Sequence, residues 1–183
     1  MLQSAQKLIA LLLLMLFATG TWAQITDKKM TSGFRTTNGR KIDVLVIHST
    51  FNNSGGDHYD TDKIIKQFVR YGVSAHYLIG RAGEIYRLVD EKNVAYHAGK
   101  SALPNGRTNL NSCSLGIELM CSYTDSVAEP QLQALITLTR DIQSRHKLNF
   151  ILRHSDIAPA RKTDPWNFNW NRYLVLLEDR SKR

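Results

Sequence analysis

The sequence predicts an α/β domain in which helices pack against a β-sheet in two or three layers. Short β-branched runs such as 42–47 are typical of buried strands. Segments with helical periodicity lie between these runs, and the segment 61–71 repeats apolar residues on one face before Gly72. Strands that alternate with helices along a chain favour this architecture.

The other elements follow from the same patterns. Further strands are predicted at 74–79, 84–89, 114–120 and 150–153, with a turn at 81–83 between the first two. Helices are predicted at 131–146, after Pro130, and near the C-terminus, where apolar spacing joins Trp170, Tyr173, Leu174 and Leu177. The glycine- and asparagine-rich stretch 93–111 is predicted to be a long surface loop, a kind of segment that often carries function.

The N-terminal segment has the composition of a secretory signal peptide. Lys7 precedes an apolar run at 8–17, and small residues lead to a predicted cleavage site after Ala23. A membrane anchor and a buried helix are the alternatives, but the run is shorter than the ~20 residues that a bilayer span needs. The predicted organisation is a signal peptide at 1–23, a leader at 24–40 and one domain at 41–183. Such a protein would be periplasmic or secreted, with no stable membrane anchor after cleavage.

The chain is cationic, with 24 Lys and Arg residues against 16 Asp and Glu residues. Cleavage after Ala23 would remove one basic residue, Lys7, and leave 160 residues (183 − 23) with a net charge of +7 (23 − 16). That length suits one domain with a single core. The charge favours anionic partners, although it also serves solubility alone. Because the basic residues are scattered, nucleic acid is not expected as a partner. The sequence does not show the oligomeric state, and a monomer is the default expectation.

Cys113 and Cys121 lie at the two ends of a predicted strand. The intervening extended chain spans about 26 Å, whereas the Cα atoms of bridged cysteines lie about 4.4–6.8 Å apart. Both cysteines are therefore predicted to be free, largely buried thiols, even though export would permit a disulfide.

The most informative stretch is 153–165, which carries His154, Lys162 and Asp164 on one predicted loop. Catalytic zinc commonly takes three ligands from His and Asp or Glu, with water in the fourth position. His48 and His154 both stand where predicted strands end, the usual place for site residues in parallel sheets. These two histidines and Asp164 form a candidate zinc site of a hydrolase. Each residue also has a structural interpretation, as a capping, strand-end or turn residue or, for Lys162, as a solvated lysine.

Glu118 interrupts an otherwise apolar predicted strand. A buried carboxylate is unfavourable unless it is paired or functional, and burial would raise its pKa in a way that suits proton transfer. The remaining histidines are given lesser roles. His76 is predicted to be structural, and His58 and His146 are predicted to be surface residues.

Five motifs in order give the chain a family resemblance. They are VIHST at 46–50, VSAHYLI at 73–79, YHAG at 96–99, SLGIE at 114–118 and HSDIAPARKTDP at 154–165. With these motifs, the chain resembles the zinc-dependent N-acetylmuramoyl-L-alanine amidases of the type 2 amidase family over about residues 42–178. That family shares its fold with phage amidase-type lysozymes and peptidoglycan recognition proteins. The resemblance therefore implies a single domain with a central mixed β-sheet flanked by helices.

The resemblance also implies an activity and its residues. The substrate would be peptidoglycan or a muropeptide fragment, cleaved between N-acetylmuramic acid and L-alanine by zinc-activated water. His48, His154 and Asp164 would bind the zinc ion. Glu118 would handle the attacking water and its proton, and Lys162 would stabilise the oxyanion of the tetrahedral intermediate. The substrate cleft would be lined by Tyr96, His97 and Asn111, with Ser49 as a further candidate.

The chain departs from the family pattern at a few positions. Ala75 stands where relatives often carry tyrosine, which fits the branch that uses a glutamate. Trp166 replaces a common glycine and would narrow the mouth of the cleft.

Two other functions stay open. One is a binding module on the same fold, although such proteins usually lack a metal ligand. The other is a different metal-dependent amide or ester hydrolase, although no rival catalytic motif occurs in the sequence. The sequence also leaves open the choice between intact wall and 1,6-anhydro fragments, the preferred stem peptide, and the choice between recycling and lysis.

Overall fold

The computed structural model describes residues 24–179 and shows a mixed six-stranded sheet. The strands are β1 (Ile25–Asp27), β2 (Phe34–Arg35), β3 (Val44–Thr50), β4 (Tyr77–Ile79), β5 (Ile85–Arg87), β6 (Val94–Ala95), β7 (Ser114–Met120) and β8 (Phe150–Arg153). The helices are α1 (Thr61–Tyr71), α2 (Glu129–Arg145), α3 (His154–Ile157) and α4 (Trp170–Glu178), with a 3₁₀ turn at Leu110–Ser112. The sheet order is β1-β5-β4-β7-β3-β8, and β2 pairs separately with β6.

The centre of the sheet is parallel. β3 pairs in parallel with both β7 and β8, and β4 adds to the other side of β7, also in parallel. All seven residues of β3 are buried. Continuous burial of this kind is typical of parallel strands covered on both faces.

One face of the sheet packs against α2 and α4. Alternate residues of β3, Leu45 and Ile47, point to this face together with their counterparts in β4 and β7. Tyr173 of α4 is fully buried there, and its hydroxyl lies 2.9 Å from the Thr139 hydroxyl of α2. This is the larger apolar core.

The opposite face is covered in two parts. Ile64 and Phe68 of α1 pack against Leu78 and Met120, while the segment 94–112 and α3 cover Val44 and Val46. α1 begins at the Asp60 cap, which accepts a hydrogen bond from the Lys63 amide, and ends at Gly72 in the left-handed region with a φ of 66°. The domain is therefore a three-layer α/β structure, and the predicted fold class is confirmed.

Several predicted boundaries are corrected. β3 extends to Thr50, so His48 lies inside the strand instead of at its end. The stretch 93–111 is wrong as a surface loop, because it contains β6 and buries Ala98, Leu103 and Leu110. The sequence 150–165 does not form a strand and one loop, because α3 begins directly at His154.

The predicted leader 24–40 carries regular structure. Ile25–Asp27 forms the edge strand β1, in parallel register with β5, and Phe34–Arg35 pairs with β6. The predicted division at residue 41 stays a prediction, and the predicted signal peptide 1–23 lies outside the described residues. No helix within 24–179 is long and apolar enough to cross a membrane.

The minor histidines and the cysteines are also located. His58 is exposed, as predicted. His146 is not a plain surface residue, because it is half-buried and its Nε2 lies 2.7 Å from a carboxylate oxygen of Glu91. Cys113 and Cys121 are both free thiols, the second of them buried.

Gln131 ties helix α2 to the sheet. It is fully buried, and its amide nitrogen donates to the carbonyl oxygens of Ile79 and Met120 at 3.2 and 3.0 Å. Its amide oxygen accepts from the Ala128 backbone at 3.0 Å, which also caps the helix. One side chain thus forms hydrogen bonds with backbone groups at the ends of β4 and β7 and at the start of α2.

We expect Gln131→Ala to lower the free energy of unfolding by about 3 kcal/mol, because the Ile79 and Met120 carbonyl oxygens would each lose a donor and the Ala128 amide would lose its contact with Gln131 Oε1. Urea denaturation measures the change. Gln133→Ala, the same substitution two residues along on the exposed side of α2, is the matched control and should cost less than about 0.5 kcal/mol. Equal losses in the two variants would contradict the buried role of Gln131.

Candidate active site

Parallel register places the chemically important residues in one row. His48 of β3 lies opposite Glu118 of β7, and Ile47 lies opposite Arg153, the last residue of β8. The next residue after β8, His154, therefore comes beside His48. All three side chains lie on the face that α1 and the segment 94–112 only partly cover.

Asp164 joins this row from the loop after α3. Its backbone carbonyl accepts a hydrogen bond of 2.9 Å from the Ser155 amide, which holds the loop against the start of α3. Its Oδ2 lies 3.1 Å from His154 Nδ1 and 3.5 Å from His48 Nδ1. The two Nδ1 atoms are 2.9 Å apart.

These three residues form a group that can hold a metal ion. All three are buried, and one ligand atom from each lies within 4.8 Å of the others. Three atoms with lone pairs gather at one point, which is unfavourable unless a proton or a cation lies among them. The remaining ring nitrogens are held from behind. His48 Nε2 lies 3.0 Å from His97 Nδ1, and His154 Nε2 lies 3.4 Å from the Ala98 carbonyl oxygen. Such outer contacts typically orient metal-binding histidines.

The electrostatics of the group match metal ligation. Burial lowers the pKa of His48 to about 4, and the adjacent His154 adds to the effect. Burial alone would raise the pKa of Asp164, but the adjacent His154 and His48 imidazoles hold it well below its usual range. His48 is therefore neutral and Asp164 ionised at neutral pH, which are the protonation states that a metal requires.

Glu118 and Lys162 face the same point. Burial raises the pKa of Glu118 well above its ordinary value, and the nearby Asp164 carboxylate raises it further. Glu118 Oε2 is shielded from solvent and has no hydrogen-bond partner within 24–179. Lys162 is held by its backbone, since its amide donates to the Ala158 carbonyl at 3.0 Å. A carboxylate that is ready to take a proton thus stands near a side-chain cation.

A cavity of about 290 Å³ opens over this row. Among the predicted site residues, it is bordered by Ser49, Tyr96, His97, Glu118, His154, Lys162 and Asp164. One side carries a cluster of aromatic rings in which Tyr123 and Trp166 lie with ring centroids 4.2 Å apart and Phe51 packs against both. Trp166 is anchored by its indole nitrogen, which donates to the Thr163 hydroxyl at 3.0 Å.

Asn111 and His76 lie outside the ligand group. Asn111 does not border this cavity, and its Oδ1 instead accepts from the backbone amides of His97 and Ala98 at 3.1 and 2.8 Å. The contact of Asn111 with substrate that the resemblance implies stays a prediction. His76 takes no part in the ligand group. It is fully buried against the Gly116 amide and Arg40, and burial together with the Arg40 charge lowers its pKa to about 3.

Three residues near the site are not predicted from the sequence as site residues. Tyr71 and Tyr123 border the cavity and are 58% and 63% exposed, an unusual amount for tyrosine. Tyr71 follows Phe68 at i+3 on the apolar face of its predicted helix, so helical spacing predicts burial there and gives no signal of its exposure. Ser114 lies under His97, and its place in a strand and in the SLGIE motif gives no sign of that contact.

The fold and the site together define a class of protein, a single α/β domain with a buried His–His–Asp group of the kind that metal-dependent hydrolases use. The chain belongs to the N-acetylmuramoyl-L-alanine amidase family, whose model matches residues 38–167. The predicted family membership is thereby confirmed.

Similar proteins agree with this membership. N-acetylmuramoyl-L-alanine amidase AmiD of Escherichia coli is 37% identical over 68% of this chain, and the match covers 49% of AmiD. The 1,6-anhydro-N-acetylmuramyl-L-alanine amidase AmpD of Enterobacter cloacae is 35% identical over 68% of this chain and 67% of its own length. The chain thus spans about half the length of the first of these relatives.

Solved structures share the fold. A crystal structure of AmpD aligns with a TM-score of 0.69 at 29% identity, covering 85% of this chain and 94% of AmpD. The complex of E. coli AmiD with anhydro-N-acetylmuramic acid-L-Ala-D-gamma-Glu-L-Lys aligns with a TM-score of 0.64 at 34% identity. That alignment covers 77% of this chain and 60% of AmiD.

The burial of Glu118 predicts that the stability of the metal-free protein depends on pH. Its pKa is raised on folding, so the folded state favours the protonated form. As the pH rises from the pKa of Glu118 in the unfolded chain through its raised pKa in the folded protein, the free energy of unfolding of the wild type should fall. That of Glu118→Gln should not fall in this way, because glutamine does not ionise. We expect the variant to be more stable by about 2 kcal/mol at pH 8 and equally stable near pH 4.

Denaturant titrations with excess chelator at the two pH values measure this difference. Glu84→Gln, at an exposed position directly before β5, is the control and should show no such divergence. A constant difference between wild type and Glu118→Gln at both pH values would contradict the shifted pKa.

Proposed function

We propose that this protein is a zinc hydrolase that cleaves the amide bond between N-acetylmuramic acid and L-alanine in peptidoglycan or its fragments. The observation that carries the proposal is the buried ligand group of His48, His154 and Asp164 with Glu118 beside it in register. The relatives named above support the substrate class, since they are amidases of N-acetylmuramyl-L-alanine compounds.

The donor set supports zinc. Zinc binds imidazole nitrogen and carboxylate oxygen at about 2.0–2.2 Å in tetrahedral geometry, which separates neighbouring ligand atoms by about 3.3 Å. The separations between the three ligand atoms here are 2.9, 3.1 and 3.5 Å. Three protein ligands leave the fourth position to water, the arrangement of catalytic zinc sites.

Zinc, when bound, lowers the pKa of coordinated water to about 7 and so supplies a nucleophile at neutral pH. Glu118 accepts the proton of the attacking water, and the burial that raises its pKa makes it a suitable base. The oxygen adds to the carbonyl carbon of the lactyl amide, and the Lys162 ammonium stabilises the negative charge on the former carbonyl oxygen. Glu118 then gives its proton to the alanine nitrogen as the carbon–nitrogen bond breaks.

The cavity supports a role for its lining in substrate binding. Tyr96 is 38% exposed and borders the cavity, and Ser49 borders it with a hydroxyl that has no partner among the described residues. The aromatic cluster with Trp166 stands at the other side and narrows the opening. A net charge of +8 favours an anionic wall polymer or its carboxylate-bearing fragments.

We further propose an exported, monomeric protein that acts in the periplasm or outside the cell. The support is the composition of residues 1–23, in which one lysine precedes a short apolar run and small residues. The absence of a nucleic-acid partner rests on the scattered basic residues alone.

Purified protein should release the stem peptide from anhydromuropeptides, and mass spectrometry should find a free L-alanine amino terminus. Chelation should abolish the activity, and added zinc should restore it. His154→Ala should lose bound zinc and at least about 10³-fold in kcat/KM, because the metal supplies the nucleophile. His58→Ala removes an exposed histidine outside the ligand group and is the control. Cleavage inside the peptide, or full activity without metal, would overturn the proposal.

Glu118→Gln and Lys162→Met should separate catalysis from metal binding. Both variants should retain zinc, while kcat falls about 10²- to 10⁴-fold for Glu118→Gln and about 10²- to 10³-fold for Lys162→Met. Lys147→Met, an exposed lysine away from this cavity, is the matched control and should keep full activity. Steady-state kinetics with metal analysis of the same samples test this, and zinc loss in Glu118→Gln would count against its role as a base.

A further inference from the structure

His97 is a buried imidazole that links the ligand group to the sheet. Its Nδ1 lies 3.0 Å from Nε2 of His48, and its Nε2 lies 3.0 Å from the hydroxyl of Ser114. The Ser114 hydroxyl is in turn 2.6 Å from the carbonyl oxygen of Leu110. Ser114 is fully buried and His97 is 8% exposed, so the chain of contacts runs largely out of reach of solvent.

The last member of this chain fixes the direction of every proton in it. A carbonyl oxygen only accepts, so the Ser114 hydroxyl donates to Leu110 and is left to accept from His97 Nε2–H. A neutral imidazole carries one N–H, so His97 Nδ1 is an acceptor. His48 must then donate from Nε2, and its Nδ1 keeps a free lone pair pointed at His154 and Asp164.

The backbone beneath His97 holds the ring in place. A Cβ atom at Gly116 would lie 2.5 Å from His97 Cγ and 2.7 Å from its Nδ1, so only glycine leaves room for the imidazole. The backbone amide of His97 donates to Asn111 Oδ1 at 3.1 Å. Asn111 thus serves the site by holding the loop that carries His97.

We propose that His97 is a positioning residue that fixes the tautomer of His48, so that Nδ1 is free to bind the metal. The inference rests on the proposed function insofar as the metal is zinc. Because both ring nitrogens of His97 are engaged within the protein, neither remains for the substrate contact that the family resemblance implied.

The test compares two variants whose side chains have the same number of heavy atoms and the same branch at Cγ. His97→Leu removes the acceptor, whereas His97→Asn keeps an acceptor oxygen near the position of Nδ1. Zinc affinity is measured by competition with a chromogenic chelator. It should be about 10- to 100-fold lower than wild type in His97→Leu and much closer to wild type in His97→Asn. Gly116→Ala should lower affinity in the same direction, because it displaces the ring while every hydrogen-bonding group stays present. His146→Gln changes a half-buried histidine that contacts Glu91 and not this chain of contacts, and it should leave zinc affinity unchanged.

A second readout does not depend on zinc or activity. In the metal-free wild type, ¹⁵N NMR of the imidazoles should show His48 protonated at Nε2 and unprotonated at Nδ1, and His97 in the same tautomer. His48 protonated at Nδ1 would overturn the proposal, as would unchanged zinc affinity in a folded His97→Leu protein. If His97→Leu does not fold, the wild-type spectrum and the His97→Asn variant decide. A wild type that binds zinc but leaves muropeptides uncut would refute the proposed function and leave the tautomer result standing.

Discussion

The register between β3 and its two parallel neighbours is the constraint on which the site depends. Pairing of His48 with Glu118 on one side, and of Ile47 with Arg153 on the other, brings the residues of one row within contact distance. In a strand, a shift of one residue turns every side chain to the opposite face. The apolar residues that alternate with this row, Leu45 and Ile47, would then leave the core under α2 and α4. Hydrophobic packing on one face therefore fixes the position of the polar groups on the other.

This arrangement places polar side chains where water cannot solvate them, so the protein must supply their partners. His48, His97 and Ser114 meet this need through one another and through a backbone carbonyl, and Asp164 has its contact with His154. Glu118 is different, because its Oε2 has no partner among residues 24–179. A buried carboxylate that is left without a partner costs stability, and a cost of this kind is typical of groups kept for chemistry.

The parts of this structure that the sequence could predict are those with a local signal. Apolar periodicity located β3, β7, α1 and α2, and the motifs around His48 and His154 pointed to the ligand group. The glycine and asparagine content of 93–111 predicts an exposed loop. Its burial in the structure depends on Ala98 and Leu110, which pack on a strand distant in sequence. β1 is only three residues long and pairs with a strand some sixty positions away, so no local pattern predicts it. The role of Ser114 depends on the three-dimensional approach of His97, which spacing along the chain does not encode.

The charges at the site explain why folding would favour cation binding and why a bound cation would stabilise the folded state. Asp164 and Glu118 bring two carboxyl groups toward two imidazoles, with Lys162 as the nearby side-chain cation. The proposed ligands His48 and His154 are separated by 106 positions, so an unfolded chain offers no preformed site. A metal that binds only the folded state adds its binding free energy to the stability of that state. The zinc ion proposed for catalysis would therefore also offset the electrostatic cost of the buried carboxylates, and the tautomer of His48 set by His97 would contribute to both effects.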